Sequence, residues 1–147
     1  MKHRSLPLVL ASVLLMDPGT AFAEGTADIE SLLLKVAKEL GVELTFSQHN
    51  GEGEIVDAVQ ALRGRADGAL VNAGAYSHTS LAIRDALAGV KVPFVEVHLT
   101  NIYAREPERR GSMLAPAAMA VLCGFGATGY ELALRGLVKR LPVAANG

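Results

Sequence analysis

The sequence predicts an α/β protein, a flavodoxin-like three-layer fold with an open parallel sheet between two layers of helices. Two observations carry that prediction. Apolar, β-favouring runs alternate along the chain with stretches of helical periodicity, the order that builds parallel sheets. Two of these runs, Leu70 onward and Val92 onward, also end abruptly in polar residues, as buried parallel strands do when they deliver functional groups at their carboxyl ends. With 147 residues, half of them apolar, the chain is long enough for one domain with a real core. That core must be aliphatic, because aromatics are 5% and tryptophan is missing.

The elements follow in order. Residues 1–23 read as a secretory signal: Lys2, His3 and Arg4 form a basic start, Leu6–Met16 an apolar run, and Ala21-Phe22-Ala23 an A-x-A cleavage signature. The run is too short for a stable membrane anchor. Cutting there would leave a single domain over 24–147 and a periplasmic or secreted protein. The alternative is that Leu6–Leu15 is a degenerate first strand of a cytoplasmic protein. Thr26 is placed to cap a helix with Asp28 and Glu30 in its first turn. Ile29, Leu32, Leu33, Val36 and Leu40 form its apolar stripe, and Gly41 stops it. Val42–Gln48 is a strand and Glu54–Arg63 a helix with Ile55, Val59 and Leu62 facing inward. Gly68–Gly74 is the next strand, and Ser80–Ala88 a helix capped by Thr79 or Ser80. Val92–Leu99 is a strand and Ala117–Cys123 a short last one. Thr128–Arg140 is the closing helix, bearing Leu132, Leu134 and Leu137.

Charge and composition exclude several classes. Fifteen acidic residues against fourteen basic ones, with no charge run, give no surface for nucleic acid or for a polybasic membrane anchor. The single cysteine, Cys123, excludes an internal disulfide and a cysteine metal cage; within AMAVLCG it reads as a buried structural thiol. Gly124, Gly126 and Gly129 make a formal GxGxxG. The chain lacks the second half and the acidic ribose ligand that a dinucleotide site needs, so close strand–helix packing explains them better. His49, His78 and His98 show no local metal-ligand spacing, and no metal is expected. Lys91 and Lys139 lie in polar contexts, which leaves no lysine for Schiff-base chemistry.

The chemistry concentrates at the end of Val92–Asn101. Phe94, Glu96 and His98 alternate onto one face, with Val95, Val97 and Leu99 on the other. A carboxylate beside an imidazole at a strand exit is an acid–base pair with its own orienter. Arg105, Arg109 and Arg110 follow on one loop, and guanidinium forks suit a hydroxylated carboxylate ligand.

The words FSQHNGEGEIVDAV, NAGAYSHTSLAIRDA, VEVHLTNIYARE, ERRGSMLAP and GFGATGYELAL resemble the type II 3-dehydroquinate dehydratases in one register. The resemblance implies a flavodoxin-like fold and conversion of 3-dehydroquinate to 3-dehydroshikimate by anti elimination through an enolate, without metal or organic cofactor. It implies His98 as general acid with Glu96 beside it. It also implies Asn72, His78 and Arg109 as substrate-binding residues, the backbone of Leu99 and Thr100 as a carboxylate cradle, and Asp85 reaching a neighbouring subunit's site. Trimers stacked into dodecamers are implied as the assembly. The family's first strand runs into GPNLNLLG-x-REP-x-x-YG, which carries the tyrosine base and the arginine that tunes it. Here the corresponding stretch, Leu10–Thr26, reads LASVLLMDPGTAFAEGT and holds neither. Tyr76, Tyr103 and Tyr130 lie at other family positions, so no base tyrosine is found. A second reading is therefore a non-catalytic homologue that binds a quinate-like ligand or acts as an assembly subunit.

Overall fold

The computed structural model describes residues 9–14 and 26–142. In chain order it holds β1 (Val9–Leu14), α1 (Thr26–Leu40), β2 (Glu43–Gln48), α2 (Glu52–Gln60), β3 (Gly68–Asn72), α3 (Leu81–Val90), β4 (Phe94–His98), β5 (Ala120–Cys123) and α4 (Thr128–Arg140). Short 3₁₀ turns at Gly74–His78, Ile102–Ala104, Pro107–Arg109 and Ala115–Ala117 fill the long connections. All five strands are parallel, in the order β2-β1-β3-β4-β5. The chain steps from β1 outward to β2, then returns to the other side of β1 for β3. Beyond the carboxyl ends of β1 and β3 lies the crevice where open sheets of this order bind ligands.

Two apolar layers sandwich the sheet. Ile55, Val59, Ala69, Val71, Ile83, Leu87 and Phe94 join α2 and α3 to one face. Leu33, Val36, Leu70, Val95, Val97, Leu134 and Leu137 join α1 and α4 to the other. Strands β3 and β4 are buried along their whole length, as strands covered on both faces must be. Where β3 enters the sheet, Gly68 leaves room for Leu137, whose Cδ2 would stand 3.0 Å from an added Cβ.

Local chemistry explains most boundaries. Gly41 adopts φ +68, and Val42 N–H bonds back to Ala37 O at 3.0 Å, ending α1 in a left-handed cap. Of the two residues expected to cap α3, Ser80 does so: its hydroxyl accepts from Ile83 N–H at 3.0 Å. Lys91 closes the same helix at φ 57. The strand expected to reach Gly74 stops at Asn72, because Gly74 already begins a 3₁₀ turn.

One expectation changes. Cys123 is half-buried rather than buried, since β5 is an edge strand with one side open. Leu132 faces outward at 42% exposure, leaving Leu134 and Leu137 to seal α4. Within the stretch expected to be a leader, Val9–Leu14 is β1, hydrogen-bonded between β2 and β3. The rest of residues 1–23, with the cleavage signature, lies outside the described residues, as does most of the stretch that stands where the family carries its base.

Candidate active site

The site begins with the pleat of β4. Alternation sends Phe94, Glu96 and His98 toward α2 and α3, and all three are buried. Glu96 Oε1 accepts two hydrogen bonds, from His98 Nε2–H at 2.7 Å and from the Ser112 hydroxyl at 2.6 Å. Ser112 Oγ in turn accepts Leu114 N–H and Ala115 N–H, each at 3.1 Å. A fully buried carboxylate is costly unless paired, and these donors supply the pairing. Its second oxygen, Oε2, is buried with no hydrogen-bond partner among the described residues. Because an ionised carboxylate only accepts, Nε2 must carry the proton, and Nδ1 is the nitrogen left for a ligand.

His78 reaches the same place from the turn that follows β3. Its Nδ1–H donates to Gly111 O at 2.6 Å, and its ring stacks on that of His98 with centroids 6.3 Å apart and planes 17° from parallel. One bond beside it, Met113 N–H to Ser77 O at 2.7 Å, ties the two segments together. The structure thus brings His78, Glu96 and His98 together.

Asn72, the last residue of β3, is held from the opposite layer. Its Nδ2–H donates to Tyr130 Oη at 2.9 Å, and its Oδ1 accepts Gly74 N–H at 3.1 Å. Tyr130 is fully buried, and burial pushes its hydroxyl well above the ordinary tyrosine range, against the smaller opposing effect of the Asn72 bond. Such a phenol is a poor proton acceptor; it serves here to orient Asn72. Tyr76 bonds Asn50 O at 3.1 Å, and Tyr103 lies exposed.

The remaining site residues expected from the sequence form a rim. Leu99 O accepts Gly126 N–H at 2.9 Å and His98 O accepts Gly124 N–H at 3.2 Å. Gly126 and Gly124 sit at φ +57 and +96, so the glycine loop folds over the exit of β4. At Gly129 an added Cβ would stand 3.0 Å from Leu122 Cδ2, the close strand–helix approach expected of this motif. Thr100 Oγ1 accepts a bond from Arg105 Nη2–H. Arg109 Nε pairs with Glu106 Oε1 at 2.9 Å, with both side chains about half exposed. Asp85 is exposed on α3, its Oδ1 3.4 Å from Arg84 Nη2. No group of three potential metal ligands occurs among the described residues.

Sequence reasoning missed Ser112, Gly111 and the orienting part of Tyr130. A signal for Ser112 existed: a serine two residues before Leu114-Ala115-Pro116 is placed to accept the free N–H groups of a turn. Nothing local marked Gly111, whose carbonyl matters only through the fold.

A buried carboxylate–imidazole pair at the strand exits of a doubly wound α/β sheet defines a protein equipped for general acid–base chemistry. The chain belongs to the class II dehydroquinase family, whose description, dehydroquinase class II, matches residues 17–138. It is 57% identical over 115 residues to the 3-dehydroquinate dehydratase of Gemmatimonas aurantiaca, covering 78% of this chain and 76% of that one. The enzyme of the same name from Prochlorococcus marinus is 51% identical over 125 residues, covering 85% and 86%. Among solved structures, the type II dehydroquinase from Butyrivibrio crossotus superposes with a TM-score of 0.83 at 29% identity, covering 89% of this chain and 97% of that one.

Proposed function

We propose that this chain dehydrates 3-dehydroquinate to 3-dehydroshikimate, with His98 as general acid and at a rate held down by the missing base. The observation that carries the reading is the Glu96–His98 pair, 2.7 Å apart and buried at the ligand-binding edge of the sheet, in a chain more than half identical to a 3-dehydroquinate dehydratase. With no base residue in place, solvent water takes the proton from the carbon beside the ketone, and the C–H electrons pass into an enolate. As the enolate collapses, the carbon–oxygen bond to the hydroxyl breaks, and His98, having taken a second proton from solvent at Nδ1 while Nε2–H stays on Glu96, gives that proton to the departing oxygen, so that water is released. Glu96 holds the ring by Nε2 and balances its charge when both nitrogens carry protons.

Asn72, His78, Arg109 and the backbone of Leu99 and Thr100 then hold the ring hydroxyls and the carboxylate. The proton acceptor is the part this sequence does not supply. Leu10–Thr26 contains neither tyrosine nor arginine, and Tyr130 is turned into the core. Incubation with 3-dehydroquinate, followed by the ultraviolet absorbance of the conjugated product, should show slow turnover that His98→Ala returns to the uncatalysed rate. Turnover unchanged by that substitution would overturn the assignment.

The assembly proposed is a trimer or a multiple of it, up to a dodecamer. In support, the edge strand β5 and its following loop leave Val121 and Phe125 exposed at 40% and 61%, a surface suited to a second copy. Light scattering should give a trimer or a multiple; a monomer at micromolar concentration would contradict it. As to location, the basic start, apolar run and A-x-A signature of residues 1–23 support a periplasmic or secreted protein, with the cytoplasm as the alternative.

A further inference from the structure

We propose that Gly111-Ser112 is a positioning dipeptide that sets the tautomers of both site histidines, and that Ser112 is a positioning residue for His98. The proposal deepens the dehydratase reading, but it rests on hydrogen bonds whose test does not depend on turnover. The two residues are adjacent, and each reaches one histidine. Gly111 offers a carbonyl to His78 Nδ1 at 2.6 Å; a carbonyl only accepts, so this nitrogen must hold the proton and Nε2 must be the acceptor. Ser112 acts one group further away. Its hydroxyl receives the Leu114 and Ala115 amides at 3.1 Å, which directs its own proton to Glu96 Oε1 at 2.6 Å. The carboxylate oxygen so fixed is the one that takes His98 Nε2–H at 2.7 Å.

The stacked rings therefore stand in opposite tautomers, His78 protonated at Nδ1 and His98 at Nε2, and each presents its other nitrogen. Only His98 needs a carboxylate rotamer to be held for this. Glu96 Oε2 has no hydrogen-bond partner among the described residues, so without Ser112 nothing there distinguishes the two oxygens except the histidine itself. The Met113–Ser77 bond at 2.7 Å fixes the dipeptide against the turn that carries His78, giving both imidazoles a common anchor. In the sequence these residues are the Gly-Ser of ERRGSMLAP, sixteen positions from Glu96 and thirty-three from His78.

The experiment is magic-angle-spinning nitrogen NMR on the full chain labelled at histidine, which reads ring tautomers whatever the particle size. Wild type should show His98 in the Nε2–H form and His78 in the Nδ1–H form. Ser112→Ala should lower the Nε2–H over Nδ1–H preference of His98 by about tenfold, one ordinary hydrogen bond's worth, and leave His78 unchanged. Ser112→Thr, which keeps the hydroxyl, should restore the wild-type pattern. A folded Ser112→Ala protein with His98 unaltered would overturn the proposal. Should the alanine variant not fold, Ser112→Cys replaces it, a weak donor of similar shape. A shift at His98 in Cys but not in Thr supports the assignment, and two wild-type patterns overturn it.

Discussion

The exits of β4 and β1 make an instructive pair. Both strands run parallel, separated only by β3, and both open onto the same edge of the sheet. At the exit of β4 the polar side chains form a network: Ser112, Glu96 Oε1 and His98 in one line, and Gly111 with His78 beside it. At the exit of β1, the stretch where the family carries its base reads Leu15–Gly25 without tyrosine or arginine. The fold uses the two strands equally, because β1 pairs with neighbours on both sides. The chemistry does not. Backbone pairing can persist with any apolar β-former, whereas proton transfer needs particular groups at particular atoms.

The harshest way to test the structural half of that comparison is to remove β1. A chain beginning at Glu24 would strand β2 apart from β3 and leave both with unpaired backbone groups. Net domain stability is only about 5–15 kcal/mol, so losing the strand that joins β2 to the rest of the sheet is expected to abolish the fold. Urea titration followed by circular dichroism should show no cooperative transition. A folded truncated protein would mean that β1 is dispensable.

A gentler test addresses how firmly the β3 exit is held from below. Tyr130→Phe removes the hydroxyl that supports Asn72 and should cost about 1–2 kcal/mol. The pH dependence gives it a signature. Burial raises the Tyr130 pKa in the folded state, while the unfolded chain titrates near 10. Stability from this group is thus full below about pH 10 and falls as pH rises beyond it, because the unfolded state then releases the proton first. The phenylalanine variant should lose less stability than wild type between about pH 9 and pH 11. Parallel losses in the two proteins would show that Tyr130 is not the group concerned.

Much of this was legible in the sequence. The alternation of Phe94, Glu96 and His98 against Val95 and Val97 fixes which face each takes, and the structure divides them between the two layers on that basis. Helix α4 begins and ends where its apolar periodicity does, at Thr128 and Arg140. What could not be read locally are contacts that depend on the fold closing. Ser112 meets Glu96 only because the long connection after β4 folds back beneath the strand, and Asn72 meets Tyr130 across fifty-eight positions. The edge position of β5 likewise depends on strand order. Cys123 belongs to an apolar run that looks like core until one side is left uncovered.

The most direct measurement compares turnover of 3-dehydroquinate by the chain as it stands with that of a chain that keeps β1 and carries GPNLNLLG-x-REP-x-x-YG in place of Leu15–Gly25. A positioned base is worth about 10²–10⁴ in rate, so the graft should be faster by that order. Introducing His98→Ala into the graft should remove most of the gain, since the restored base would then lack its acid. If the unmodified chain already turns over at about 1–10³ per second, as ordinary enzymes do, another group supplies the base, and the division between a complete β4 exit and an incomplete β1 exit is wrong.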